Sequence, residues 1–157
     1  TINNNPGVLG IGEYEFALVD TDGNFVYPYQ DEAYFGNVRG GIYTILVRDK
    51  NGCGEDELEI AVLEIPKFFT PNNDGINDFW NLNGISIEFI DYFPSRKVSI
   101  FNRFGKFIAD FTIDQQGWNG RYNGKVVVSN DYWVRLELID RNGKKRVETR
   151  NFALLRR

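Results

Sequence analysis

Along most of this chain apolar and polar residues alternate with a period of two, the spacing of a strand that buries one face. Tyr14, Phe16 and Leu18 alternate with Glu13, Glu15 and Ala17, and Leu58, Ile60 and Val62 with Glu57, Glu59 and Ala61. Residues 42–48 form a β-branched and aromatic run, and similar runs predict strands at 97–103, 106–111, 125–128, 132–139 and 146–155. Within 132–139, Tyr132, Val134, Leu136 and Leu138 share one face, and Trp133, Arg135 and Glu137 the other. That is the pattern of a half-buried antiparallel strand. Nowhere does a 3.6-residue apolar period persist for the length of a helix.

Turn sequences separate the runs: Asp20-Thr21-Asp22-Gly23-Asn24, Asp49-Lys50-Asn51-Gly52, Arg103-Phe104-Gly105-Lys106 and Asp140-Arg141-Asn142-Gly143. Glycine adopts positive φ without strain, and Asp or Asn side chains bond their own backbone, so these segments reverse the chain sharply. Short strands with turns about every 8–12 residues predict an all-β fold. The expectation is two small antiparallel β-sandwich domains of immunoglobulin-like type in tandem. Ile65-Pro66-Lys67 reads as the junction, because proline removes a ladder donor. Residues 1–66 and 67–157 are then the two domains, the second with about seven strands.

Charge supports the division. Residues 1–66 hold 3 Lys/Arg against 12 Asp/Glu, and residues 67–157 hold 15 against 10. The basic excess is greatest at 141–157, with seven Lys/Arg and one acid. A solvated basic edge strand explains that cluster more simply than nucleic-acid binding does. With 42% apolar residues and 13 Phe, 8 Tyr and 3 Trp in 157 residues, the chain can fill packed cores. It contains no His, no Met and one Cys, Cys53. Histidine-based nucleophile systems and imidazole metal sites are excluded, and a lone Cys reads as an inert thiol. Adjacent acids such as Asp31-Glu32 fall on opposite faces of a strand and cannot act as a catalytic pair. The expectation is therefore no enzyme and no catalytic residue. The opening on Thr1-Ile2 suggests a piece of a longer protein. No apolar run approaches the ~20 residues of a membrane-spanning helix.

Four landmarks follow one another in the second half. They are Phe69-Thr70-Pro71-Asn72-Asn73-Asp74-Gly75-Ile76-Asn77-Asp78-Phe79, Val98-Ser99-Ile100-Phe101-Asn102-Arg103-Phe104-Gly105, Gly117-Trp118-Asn119-Gly120-Arg121-Tyr122-Asn123-Gly124, and Asp131-Tyr132-Trp133-Val134. Together they resemble the gliding motility-associated C-terminal domain, the type B sorting domain of the Bacteroidetes type IX secretion system. Asn73 stands where that family usually has Gly, Phe104 where it has Trp or Tyr, and Asn119 where it has Asp; Asn130-Asp131 replaces a Gly-Thr-like pair. More weakly, residues 42–53 are similar to the closing strand and turn of repeat modules in large gliding adhesins, which makes residues 1–66 an adhesin or stalk module. The resemblance implies a C-terminal export signal for a large surface protein. That protein would cross the periplasm and end secreted or on the cell surface. The implied partners are the outer-membrane components of the secretion system, among them a PorP/SprF-like protein.

An export receptor needs a folded feature common to unrelated cargo, and a free strand edge provides one. The last strand is the candidate, with Arg146, Arg150, Phe152, Leu154, Leu155, Arg156 and Arg157 as recognition residues. Solubilising charge on an edge is the plainer account of its basic residues. The oxygen-rich segment 72–78 suggests a self-bonded Asx-turn loop. As a calcium site it would use Asn72, Asp74, the Ile76 carbonyl and Asp78, fewer ligands than a hard cation takes. Two further readings stay open: a calcium-stabilised spacer, and a module that stacks Trp118 and exposed aromatics on a cell-surface glycan.

Overall fold

The computed structural model describes residues 13–52 and 54–156. The chain divides into two units, one ending at Val62 and the other beginning at Leu63. Cys53 and Arg157, both singled out in the sequence, lie outside the described residues.

The first unit is a four-stranded antiparallel sheet of β1 (Tyr14–Val19), β2 (Phe25–Gln30), β3 (Gly41–Asp49) and β4 (Glu55–Val62), in the order β2-β1-β3-β4. Central β1 buries Phe16, Ala17, Leu18 and Val19 in succession. Alternation predicted one buried face, but from Phe16 to Val19 this central strand is buried on both faces, with Tyr14 and Glu15 part-exposed. Arg48 lies over the Tyr29 ring, 3.5 Å from its centroid, and pairs with Glu15 at 2.6 Å. Outermost β4 exposes Glu55, Asp56 and Glu57, and Leu58, expected inside, is 58% exposed.

In the second unit the elements are β5 (Phe68–Phe69), α1 (Ile87–Tyr92), β6 (Ser95–Asn102), β7 (Phe107–Thr112), β8 (Arg121–Tyr122), β9 (Lys125–Val126), β10 (Asn130–Ile139) and β11 (Lys145–Leu154). Five strands form one sheet in the order β5-β11-β10-β6-β7, and β8 and β9 form a separate hairpin. All pairs are antiparallel except β5 with β11. One sheet face carries Val98, Ile100, Tyr132, Val134, Leu136, Leu138, Phe152 and Leu154, all buried. Trp80 stacks on Phe152 with ring centroids 4.8 Å apart, and Trp118 meets Tyr132 edge-on at 5.1 Å. Burying such a side chain contributes about 2–3 kcal/mol. The all-β class read from the sequence is the observed one.

The six-residue helix was not anticipated, being too short to show a period. Its N-cap Ser86 accepts the Phe89 N–H at 3.2 Å, and Phe89 and Tyr92 are buried. Pro94 follows its end. Arg96 then donates to the Phe93 carbonyl at 2.7 Å and to Asp114 at 3.0 Å. Bonds from Thr112 and from Arg96 hold the Asp114 carboxyl down at about 2.

One turn chemistry closes four hairpins. Gly23, Gly52, Gly105 and Gly143 have φ of 84°, 77°, 84° and 82°. Each N–H bonds back to the carbonyl three residues earlier, on Asp20, Asp49, Asn102 or Asp140. The side chains of those four residues accept from the N–H two residues on. This is a type I turn closed by a left-handed residue.

Gly117 has a different duty. Trp80 and Trp118 exchange two backbone hydrogen bonds, 2.8 and 3.0 Å long. At φ +114°, a Cβ on residue 117 would sit 2.3 Å from the Trp80 carbonyl oxygen. We expect Gly117→Ala to destabilise the second unit by about 3 kcal/mol, through strain and overpacking together. Gly124→Ala, strained at φ +76° but open to solvent, is expected to cost only about 1 kcal/mol. Urea unfolding followed by tryptophan fluorescence reads this unit alone, since Trp80, Trp118 and Trp133 all lie in it. Equal losses in the two variants would show that the close approach restrains nothing.

Candidate functional site

β11 pairs with β10 through ten rungs, but its other side meets β5 only at Ala153 and Leu154. The Ala153 N–H reaches the Lys67 carbonyl at 2.8 Å, and the Leu155 N–H reaches the Phe69 carbonyl at 3.0 Å. Successive residues of a strand direct their main-chain groups to opposite sides. Val147, Thr149 and Asn151 therefore turn theirs outward, where no strand lies among the described residues. The terminal strand expected as a free edge is free along its first part and capped at its end. Before Lys67 the chain leaves the edge; Pro66 faces away from β11, and its carbonyl accepts from the Trp80 indole at 3.2 Å.

The recognition residues read from the sequence part company here. Phe152 and Leu154 are 1% and 0% exposed, so they belong to the core and offer nothing to a receptor. They share a strand face with Arg146, Glu148 and Arg150, and that face passes from solvent into the core along its length. Arg146 and Arg150 stay at the surface, both bonded to Glu148, at 3.3 and 2.9 Å. Leu155 is 38% exposed.

Arg156 is a clamp. Its guanidinium donates to the carbonyls of Val127 at 2.9 Å, Gly120 at 3.0 Å and Pro71 at 3.3 Å. Its backbone N–H reaches Ser129 Oγ at 3.0 Å. Three segments distant in sequence are thereby tied to the end of β11. Only arginine presents donors in so wide a planar fork. Nothing in the sequence pairs it with these three carbonyls, so alternation and charge alone assigned it to the surface.

Asp78 organises the 70–78 loop. Oδ1 accepts from Asn72 and Asn73, at 2.9 and 2.8 Å, and Oδ2 from Gly75 at 2.7 Å. Asn72 and Asp74 side chains accept from Asp74 and Ile76 N–H groups, and Asn73 and Asn77 hold φ of 61° and 54°. Desolvation raises the Asp78 pKa, yet bonds from Gly75, Asn72, Asn73 and Asp74 outweigh it and leave the carboxyl below its ordinary range. The loop surrounds its key carboxylate with N–H dipoles, and those repel a cation. Among the described residues no three His, Cys, Asp or Glu side chains gather as a metal would require. Of the four calcium candidates, Asn72, Asp74 and Asp78 have their side-chain oxygens engaged by the loop's own N–H groups, the geometry of an Asx-turn loop.

Trp118 is 3% exposed, and its indole N–H is bonded to the Arg121 carbonyl at 2.9 Å. It cannot stack on a sugar, which removes the residue on which the glycan reading stood. Trp133 is 41% exposed.

We expect Arg156→Ala to destabilise this unit by about 2 kcal/mol or more, the scale of hydrogen bonds to a charged group. Arg156→Lys should recover only part, because one ammonium cannot span three carbonyls; chemical denaturation measures both. For Asp78, whose pKa is lowered on folding, the contribution to stability is complete at neutral pH. It fades only as the pH falls through the depressed value. Asp78→Asn should therefore lower the melting temperature at pH 7 and erase that part of the acid limb, while added calcium leaves the wild-type melting temperature unchanged. A calcium-dependent rise would restore the metal reading.

The CHU_C type IX secretion signal domain family matches residues 63–153. Among solved structures, the chain is similar to a tetra-tandem repeat in the extending region of a large adhesion protein. Identity is 19% over 90% of this chain and 41% of that one, with a TM-score of 0.28. It is also similar to the BSP domain of a biofilm-associated protein, at 15% identity over 91% of this chain and 25% of that one, with a TM-score of 0.32. It spans less than half the length of either chain. No curated protein matches it. With more than half of its length matched over residues 63–153, the chain belongs to the type IX secretion signal domain family.

Proposed function

We propose that the second unit is the export address of a larger secreted or cell-surface protein, read in folded form at the outer membrane. The carrying observation is the family match over 63–153, which spans most of the unit that begins at Leu63. An address on unrelated cargo has to present the same surface each time, and that requires a rigid body. The aromatic core, the Gly117 close approach and the Arg156 clamp supply that rigidity. The role needs binding and no chemistry, which agrees with a chain that has no His. The partner is an outer-membrane component of the secretion system, of the PorP/SprF kind. The first unit serves as an adhesin or stalk module of the cargo.

A reporter joined to the amino end of residues 1–157 should appear outside a cell that has the matching machine, and should stay in the periplasm of a cell lacking it. Protease accessibility of the reporter on intact cells gives the readout. Retention in the periplasm with the machine present would end this reading.

A further inference from the structure

The open part of the β11 edge has a defined chemistry. Val147, Thr149 and Asn151 turn their N–H and C=O groups outward, a ladder onto which one more strand can add. The Thr149 carbonyl meanwhile accepts from the Arg150 guanidinium at 2.9 Å, a side-chain bond that an incoming strand would share or displace. Lys144, Lys145, Arg146 and Arg150 surround it against Glu148 alone, a net of +3 over residues 144–151. Glu148 is itself held between Arg146 and Arg150. At the far end, where β5 departs, a hollow of about 350 Å³ opens between Ile65, Lys67, Arg150 and Asn151, with Asp131 as its one acid. The neighbouring face of β11 is short-chained or apolar at Val147, Thr149 and Asn151, so an added strand meets no bulky side chain there.

A sheet edge must either be guarded or be used. Two copies pairing through this edge would bring two strands of net +3 together, which costs free energy wherever like charges face one another. A strand rich in Asp and Glu meets the opposite situation. Its main chain completes the ladder, and its side chains lie among unopposed Lys144 and Lys145 and the flanking arginines.

We propose that this edge binds an extended acidic segment of a partner protein by strand addition, from Lys145 to Asn151, up to the point where β5 takes over. The inference rests on the export reading, for which it names the docking surface and the kind of segment that occupies it. β5 fixes the limit of the added strand, and the basic residues select its charge.

The test uses the whole chain and three labelled octapeptides. One alternates Glu and Val, one is the same peptide N-methylated at alternate residues, and one alternates Lys and Val. Fluorescence anisotropy should show binding of the Glu peptide, weakened at least tenfold by N-methylation and absent for the Lys peptide. Thr149→Pro removes an outward donor and blocks the edge while leaving the β10 bonds intact; it should weaken the Glu peptide at least tenfold. Lys144→Glu with Lys145→Glu should do the same. Should Thr149→Pro not fold, as circular dichroism would show, the N-methylated peptide on wild-type protein decides the matter. Equal affinity for the methylated peptide would mean charge attraction without a ladder, and would overturn the proposal. So would absence of binding, or a dimer in sedimentation that Thr149→Pro dissolves, since the occupant would then be a second copy. The reporter assay separates the two readings. Export by a Thr149→Pro chain that no longer binds the Glu peptide overturns the docking role and leaves the address standing. A wild-type chain that binds the peptide yet stays in the periplasm sinks the address alone.

Discussion

The second unit depends on one close approach, the backbone of Gly117 against the carbonyl of Trp80, nearer than any Cβ permits. Because that gap is closed, Trp80 and Trp118 exchange two hydrogen bonds. Both indoles then lie over the sheet, one on Phe152 and the other on Tyr132. Phe152 and Tyr132 face each other across β11 and β10, so the loop layer and the sheet hold one another at their common end. Arg156 then ties the loop containing Pro71 and the segments at Gly120 and Val127 to the end of the last strand. A larger residue at 117 would separate the Trp pair, and the clamp downstream would lose the positions of its acceptors. Side chains bury the area here, but backbone proximity sets where they go.

This explains why the landmarks were readable. They are the conformationally exacting positions: Asn73, Gly75 and Asn77 in the first, Gly105 in the second, and Gly117, Gly120, Asn123 and Gly124 in the third, all at positive φ. Such positions admit few residue types and therefore leave a pattern in the chain. The departures obey the same rule. Asn73 holds φ 61° where glycine is usual, and asparagine is the side chain that best tolerates that region. Asn119 accepts the Arg121 N–H at 3.2 Å, as an aspartate would. Phe104 is 80% exposed on its turn, so the identity of its ring matters little to packing. The four Asx-Gly hairpins were legible for the same local reason.

Long-range placement was less legible. Alternation places Arg146, Glu148, Arg150, Phe152 and Leu154 on one face of β11, but it cannot say that the face enters the core partway along. The covering layer ends beside the strand, and only tertiary structure shows where. β5 left no signal because two residues carry no periodicity, yet they decide how much of the last edge stays open. The burial of Ala17 and the exposure of Leu58 have the same origin: a strand's position within its sheet overrides the period of its own sequence.

Edges and clamps together suggest how a folded signal avoids self-association. An unguarded edge beside an aromatic-rich core would pair with any strand released during export. This unit caps the apolar end of β11, where Phe152 and Leu154 lie, with β5 from its own chain. Along β11 it leaves uncapped only the stretch where positive charge discriminates among incomers. The boundary lies just before Lys67, whose carbonyl is the first to accept from β11, while the Pro66 carbonyl turns the other way to the Trp80 indole. Capping by β5 is intramolecular and needs no partner, whereas the charged stretch has to wait for one of opposite sign. In the proposed docking, an edge built in this way would resist a second copy and accept a strand of opposite charge, and the difference between those outcomes rests on charge.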